Sequence, residues 1–210
     1  MRLVALILCA AAVPACAGRA AGQPVEPGSL DAAGGWLAVP TVPHLRADRG
    51  DGGPAALAML LAYWKQPTAV ADVASACGAT TDSGNTRADD LRAFAVDRGF
   101  AAFLFQGELG IIEHELAARR PVVVGLVERR GLIGYRGRYA LVVGYHAARR
   151  QVVTLDAEHG YVELSLEAFA EVWEPSQRLL LVVIPPGQGA YGGSTRLVVR
   201  QNQQPRQEVE

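Results

Sequence analysis

Hydrophobic positions follow two regimes along the chain. From Pro54 to Arg120 they recur mostly at helical spacing, and from Pro121 to Ile184 they gather in runs rich in Val and Leu. In the first regime PAALAMLLAYW (54–64) predicts an amphipathic helix, with Pro54 in the first turn where proline is favoured. AVADVASAC (69–77) predicts a short helix ended by Gly78. TRADDLRAFAVDRG (86–99) predicts a helix capped by Thr86, with Leu91, Phe94 and Ala95 on one face and Gly99 as its stop. FAAFLF (100–105) predicts a strand, and ELGIIEHELAARR (108–120) a helix whose apolar stripe is Ile111, Ile112 and Leu116. In the second regime PVVVGLV (121–127), RYALVVGY (138–145), QVVTLD (151–156), GYVEL (160–164) and RLLLVVI (178–184) predict strands. One helix interrupts them, SLEAFAEVW (165–173), with Ser165 as its cap. Helices first and strands second point to an α+β fold with an antiparallel sheet.

The two ends differ from this middle. MRLVALILCAAAVPACAGRA carries one early Arg and then an apolar run too short to span a bilayer and stay there. It reads as an export signal. Ala15-Cys16, preceded by Val13-Pro14, resembles the lipobox of bacterial lipoproteins, which makes residues 1–15 the signal and Cys16 the lipidated first residue. Ordinary cleavage after Ala17, giving a secreted protein, is the alternative. Ala17 is not an aspartate retention signal, so the expected location is the outer membrane or the periplasmic face of the envelope. Residues 16–36, small, polar and rich in Pro and Gly, are expected to form a flexible tether, 37–186 the folded domain, and 187–210 a mostly disordered tail. With Cys9 lost in the signal and Cys16 carrying lipid, Cys77 is the only remaining thiol and no internal disulfide is possible.

Charge and common motifs remove several functions. The formal net charge of −1 gives no basis for nucleic-acid binding. GDGGPA (50–55) matches G-x-G-x-x-A, but VPTVPHLRADR before it holds two prolines and several charges, and no βαβ unit follows. His44, His114, His146 and His159 lack metal-ligand spacing, and Asp89-Asp90 lies on an exposed helix face, so neither a metal nor another cofactor is expected. There is no G-x-S-x-G elbow. Cys77 has no cationic neighbour in sequence to lower its pKa and reads as a buried, structural thiol.

Four blocks, in order, carry a resemblance. VPHLRADRGDGGPAALAMLLAYW, ACGATTDSGNTRADDLRAFAVDRGF, LAARRPVVVGL and GRYALVVGYHAARRQVVTLDAEHG together resemble the bacteriocin-processing cysteine peptidases, family thirty-nine of the papain-like clan, over about Val39 to Pro185. The resemblance implies a papain-like fold: an N-terminal helical half packed on a C-terminal antiparallel sheet, with a peptide groove between them. In that family a nucleophilic Cys stands in D-C-G-P-A at a helix start, where the helix dipole and a His favour the thiolate. The matching position here is Gly52. The general-base His opens a strand reading H-Y-x-V-V-V-G-Y, and the matching residue is Arg138. The orienting Asp follows the next strand, and Asp156 is retained there. A Gln just ahead of the Cys helps build the oxyanion hole, whereas the candidates here are Arg46 and Ala47.

Glycine has no nucleophile, and arginine is not a base at physiological pH. Cys77-Gly78 matches a Cys-Gly pair that active members also carry, so Cys77 is not a replacement nucleophile. The resemblance therefore implies a pseudo-peptidase that binds an extended peptide or unfolded segment, anchored to the membrane through Cys16. Degenerate domains of the same family attached to secretion transporters make such a transporter a candidate partner. The alternatives are an active peptidase with unorthodox residues and a purely structural envelope protein. An ion pair between Arg138 and Asp156 is expected where the family has its His and Asp.

Overall fold

In the computed structural model the residues described are 22–47, 50, 52–78, 86–131 and 133–188. Eight strands form one sheet: β1 (Gln23–Pro24), β2 (Leu37–Ala38), β3 (Ala101–Gln106), β4 (Val122–Arg130), β5 (Gly134–His146), β6 (Gln151–Asp156), β7 (Gly160–Ser165) and β8 (Leu179–Ile184). Their order is β1-β7-β6-β5-β4-β8-β3, with β2 paired to β5, and the pairings are antiparallel. Five helices accompany the sheet: α1 (Gly53–Tyr63), α2 (Val70–Ala76), α3 (Ala88–Asp97), α4 (Leu109–Ala117) and α5 (Leu166–Trp173). This is the expected α+β arrangement with an antiparallel sheet. No helix among the described residues is long and apolar enough to cross a membrane.

Val and Leu runs build the sheet centre. Successive side chains of a strand point to opposite faces. In β4, β5, β6 and β8 consecutive residues are nonetheless buried, as at Val122–Leu126 and Ala140–His146. Both faces of the central sheet are therefore covered, which is why those strands read as continuous apolar runs rather than alternating ones. A register shift between Val142 and Gly144 bends β5. A Cβ at Gly144 would lie 3.1 Å from the Val153 Cβ, so glycine permits the close strand approach there.

Three expectations are corrected. Helix α1 is not amphipathic: every residue from Gly53 to Leu61 is buried, so it is a core helix enclosed on all sides. Its Ala residues suit this, being small enough for neighbours to approach closely. Thr86 does not cap α3: the N-cap is Arg87, in extended conformation and with no side-chain bond. The Thr86 carbonyl instead accepts a hydrogen bond from the Tyr139 hydroxyl at 2.9 Å. Ser165, by contrast, caps α5 as expected, its Oγ accepting from the Ala168 amide at 3.1 Å.

The third correction concerns the tether. Residues 22–36 are packed on the domain. Strand β1 pairs with the β7 edge, and the Val25 amide donates to the Tyr161 carbonyl at 3.1 Å. Leu30 and Trp36 are buried. Trp36 meets His146 edge to face, and the His146 ring bonds the Gly34 carbonyl at 2.8 Å. Two buried apolar side chains and a sheet edge thus hold a stretch whose composition is that of a linker. The expected signal, Cys16 and the tail from residue 189 onward lie outside the described residues.

Candidate functional site

Gly52 is the N-cap of α1 and adopts the left-handed conformation, with φ 73° and ψ 0°. Its carbonyl accepts the first helical bond, from the Ala56 amide at 2.8 Å. A side chain there would be strained by the backbone, and its Cβ would stand 3.3 Å from the Tyr139 carbonyl and 4.0 Å from the Ala157 Cβ. Those neighbours adjoin Arg138 and Asp156 in sequence. The fold thus brings together Gly52, Arg138 and Asp156, the three positions singled out from the sequence.

Arg138 lies in β5 opposite Leu126 of β4. Its Nε donates to a Glu128 carboxylate oxygen at 2.6 Å and an NH1 proton goes to Asp156 Oδ2 at 2.9 Å. The expected ion pair with Asp156 is present, and Arg138 bridges three strands, β4, β5 and β6. Asp156 is 4% exposed. Its second oxygen accepts from the Glu158 amide at 2.9 Å and the His159 amide at 2.6 Å, closing the turn between β6 and β7. Both carboxylate oxygens of Asp156 are therefore engaged.

Sequence reasoning set His159 aside, and the structure brings it into the site. Its Nδ1 lies 3.3 Å from each Asp156 carboxylate oxygen. The signal was an Asp three residues before a His, in a turn closed by the Asp side chain. Around these groups runs a small, open cleft lined by Ala47, Gly50, Gly52, Arg136, Arg138, Tyr139, Asp156, Ala157, Glu158 and His159. Ala47, one of the two oxyanion candidates, is there, its amide donating to the Ala157 carbonyl at 3.1 Å. Arg46 is not among the lining residues. Arg136 ties the cleft's rim together, donating to the Gly50 carbonyl at 2.8 Å and pairing with Glu158 at 3.4 Å. No Cys, Ser or Thr is among the described lining residues, and Cys77 is buried at the end of α2.

Chemically, the described lining holds two guanidinium groups, two carboxylates, one imidazole and the phenol of Tyr139, with Glu128 outside it as a further partner of Arg138, and no thiol or aliphatic hydroxyl. An arginine at the base position has five donors and no acceptor, so it cannot take a proton from a nucleophile. What it does is bind carboxylates in its planar fork.

No family model matches the sequence, and no curated relative aligns with it significantly. Solved structures do match. The peptidase domain of Streptococcus ComA, a bi-functional ABC transporter involved in a quorum-sensing pathway, superposes with a TM-score of 0.56 at 20% identity, over 68% of this chain and 96% of that one. A double-glycine-motif protease from an AMS/PCAT transporter, solved in complex with its leader peptide, gives 0.55 at 19% identity, over 70% and 94%. A C39-like peptidase structure from Bacillus anthracis gives 0.55 at 15% identity, over 71% and 97%. At these identities the likeness is one of fold: the chain adopts the C39, papain-like peptidase-domain fold.

Proposed function

We propose that this protein is a degenerate member of the bacteriocin-processing peptidase family, catalytically inactive, which holds an extended peptide segment in its cleft without cutting it. The observation that carries this reading is the Arg138 clamp. The residue at the general-base position is locked between Glu128 and Asp156, while the nucleophile position is a left-handed glycine. Both halves of a Cys–His pair are replaced by groups with no lone pair or thiolate to offer. Loss of the nucleophile does not remove a groove, and papain-like grooves bind extended chains through backbone pairing that needs no catalytic side chain. The neighbour solved with a leader peptide supports a peptide as the ligand class. In the same reading the protein is exported, anchored by lipid at Cys16, and works beside a secretion transporter.

A second reading has one observation in its favour. His159 against Asp156 is an imidazole held by a carboxylate, the base half of a hydrolytic pair. It lacks a nucleophile among the described lining residues, so it ranks below the first.

Testing compares the natural chain with the Gly52→Cys/Arg138→His variant, both checked for folding by circular dichroism. Each is incubated with a peptide library that includes double-glycine leaders. Cleavage is followed by mass spectrometry and binding by fluorescence anisotropy. The natural chain is expected to bind without cutting and the variant to cut the same peptides. Cleavage by the natural chain would place the nucleophile elsewhere. Absence of peptide binding by the natural chain would leave the domain a scaffold.

A further inference from the structure

Strands β4 and β5 extend past the rest of the sheet. Pairing of β8 to β4 is confined to Val123 and Val124, and the pairing of β6 to β5 stops at Leu141. From there to the Arg130–Gly134 pair the two strands have only each other, forming a two-stranded ribbon. Its turn is tight. Gly131 has a φ of 62°, and a Cβ on Gly134 would lie 2.7 Å from the Arg130 carbonyl oxygen. The base of the ribbon is tied to the domain by Arg138 and Arg136.

The tip is apolar and basic together. Ile133 is 95% exposed and Tyr135 is 70% exposed; the other exposed large hydrophobic residue among those described, Val96 in α3, is only half so. Ile133 and Tyr135 are two residues apart, and Arg129 stands directly across from Tyr135 on the same face. Arg129 and Arg130 are both exposed, and neither has an ion-pair partner among the described residues. Ile133 and Tyr135 stand together at the end of a projection rather than scattered singly over the surface, and grouped apolar exposure of this kind marks contact surfaces.

We propose that the ribbon tip docks on an anionic lipid bilayer surface, with Ile133 and Tyr135 entering the headgroup boundary and Arg129 and Arg130 meeting lipid phosphates. Charge complementarity selects this occupant: two exposed guanidinium groups with no ion-pair partner among the described residues flank the apolar tip, and a phospholipid surface supplies phosphates and an apolar layer next to each other. Tyrosine suits the boundary, with its ring in the apolar part and its hydroxyl in water. The two exposed large side chains described there also cover far less than a stable protein interface, which takes about 800 Å² on each partner. The inference is independent of lipidation at Cys16 and of the peptide-binding reading.

The test uses the full chain carrying Tyr135→Trp, with the parent chain supplying the background of its own tryptophans. Vesicles of phosphatidylglycerol and phosphatidylcholine with brominated acyl chains are added, and pure phosphatidylcholine vesicles serve as the control. The added tryptophan is expected to shift to the blue and be quenched on the anionic vesicles. Replacing Arg129 and Arg130 by Gln is expected to weaken this contact about fivefold for each arginine removed. Salt that shortens the Debye length to about 3 Å should weaken it as well. Ile133→Asp, at a fully exposed position, should abolish the contact and leave the melting temperature unchanged. The proposal is overturned if the tryptophan stays as accessible to aqueous iodide with vesicles as without. It is equally overturned if the blue shift appears in buffer and grows with protein concentration, which would make the tip a contact between two copies.

Discussion

Removing the Arg138 side chain should destabilise the protein by about 2–3 kcal/mol. The magnitude follows from what each partner is left with. Breaking a buried ion pair from one side typically costs about 3–5 kcal/mol, because the remaining charge stays buried and alone. Two features lower that figure here. The Glu128 side chain is 39% exposed and can rehydrate, so its share resembles a surface pair of about 0–1 kcal/mol. Asp156, with its side chain 5% exposed, keeps the Glu158 and His159 amides and loses only the guanidinium. For a domain of this size the cost corresponds to a drop in melting temperature of about 5–10 °C for Arg138→Ala, measured by scanning calorimetry. Arg138→Met, which refills the volume but not the charge, should lose most of the same stability. A cycle with Asp156→Asn isolates the pair: the double variant should be more stable than the sum of the single losses predicts, by more than about 0.5 kcal/mol. An Arg138→Ala protein melting within about 1 °C of the parent would refute the clamp as a structural element.

Other expectations follow from single contacts. The Tyr161 hydroxyl donates to the Val42 and Pro40 carbonyls at 2.6 and 3.1 Å, and burial pushes its pKa up to about 12 despite the bond to Val42. Because the folded value is raised, its contribution is intact below the ordinary tyrosine value near 10 and is lost as pH rises towards 12. Absorbance titration should therefore show one tyrosine ionising late, and Tyr161→Phe should remove that step and flatten the alkaline loss of stability. Gly52→Ala should cost about 1–2 kcal/mol from the left-handed backbone alone, read as a lower melting temperature. Glu115 in α4 is wholly buried and paired with Arg120 at 2.6 and 3.0 Å, so Glu115→Ala should lose about 3–5 kcal/mol in urea unfolding.

Parts of the fold were plain in the sequence for a physical reason. QVVTLD and the Val-Leu runs of β4, β5 and β8 are buried on both faces, and only a sheet covered on both sides calls for that. The outer halves of β4 and β5 were not legible. In ERRGLIGYRGR the strand conformation comes from the ladder between the two strands, and no apolar alternation records it. Residues 22–36 misled because two buried side chains, Leu30 and Trp36, decide their placement, whereas composition averages them away. The burial of Glu115 has no signature in the helical pattern, since its partner Arg120 lies beyond the end of the helix. At the site, Gly52, Arg138 and Asp156 were found by alignment of motifs. The turn that presents His159 and the Glu128 arm of the clamp depend on register, which spacing alone does not fix.

The left-handed start of α1 has a consequence for how this site can change. Placing a cysteine at position 52 alone would strain the helix start, and placing a histidine at position 138 alone would strand Asp156 and Glu128. Each step towards a Cys–His pair, taken singly, leads to a less stable molecule that holds only half of the pair. The effects of the two positions are coupled, so exchanging both for a Cys–His pair crosses a stability barrier rather than a level path.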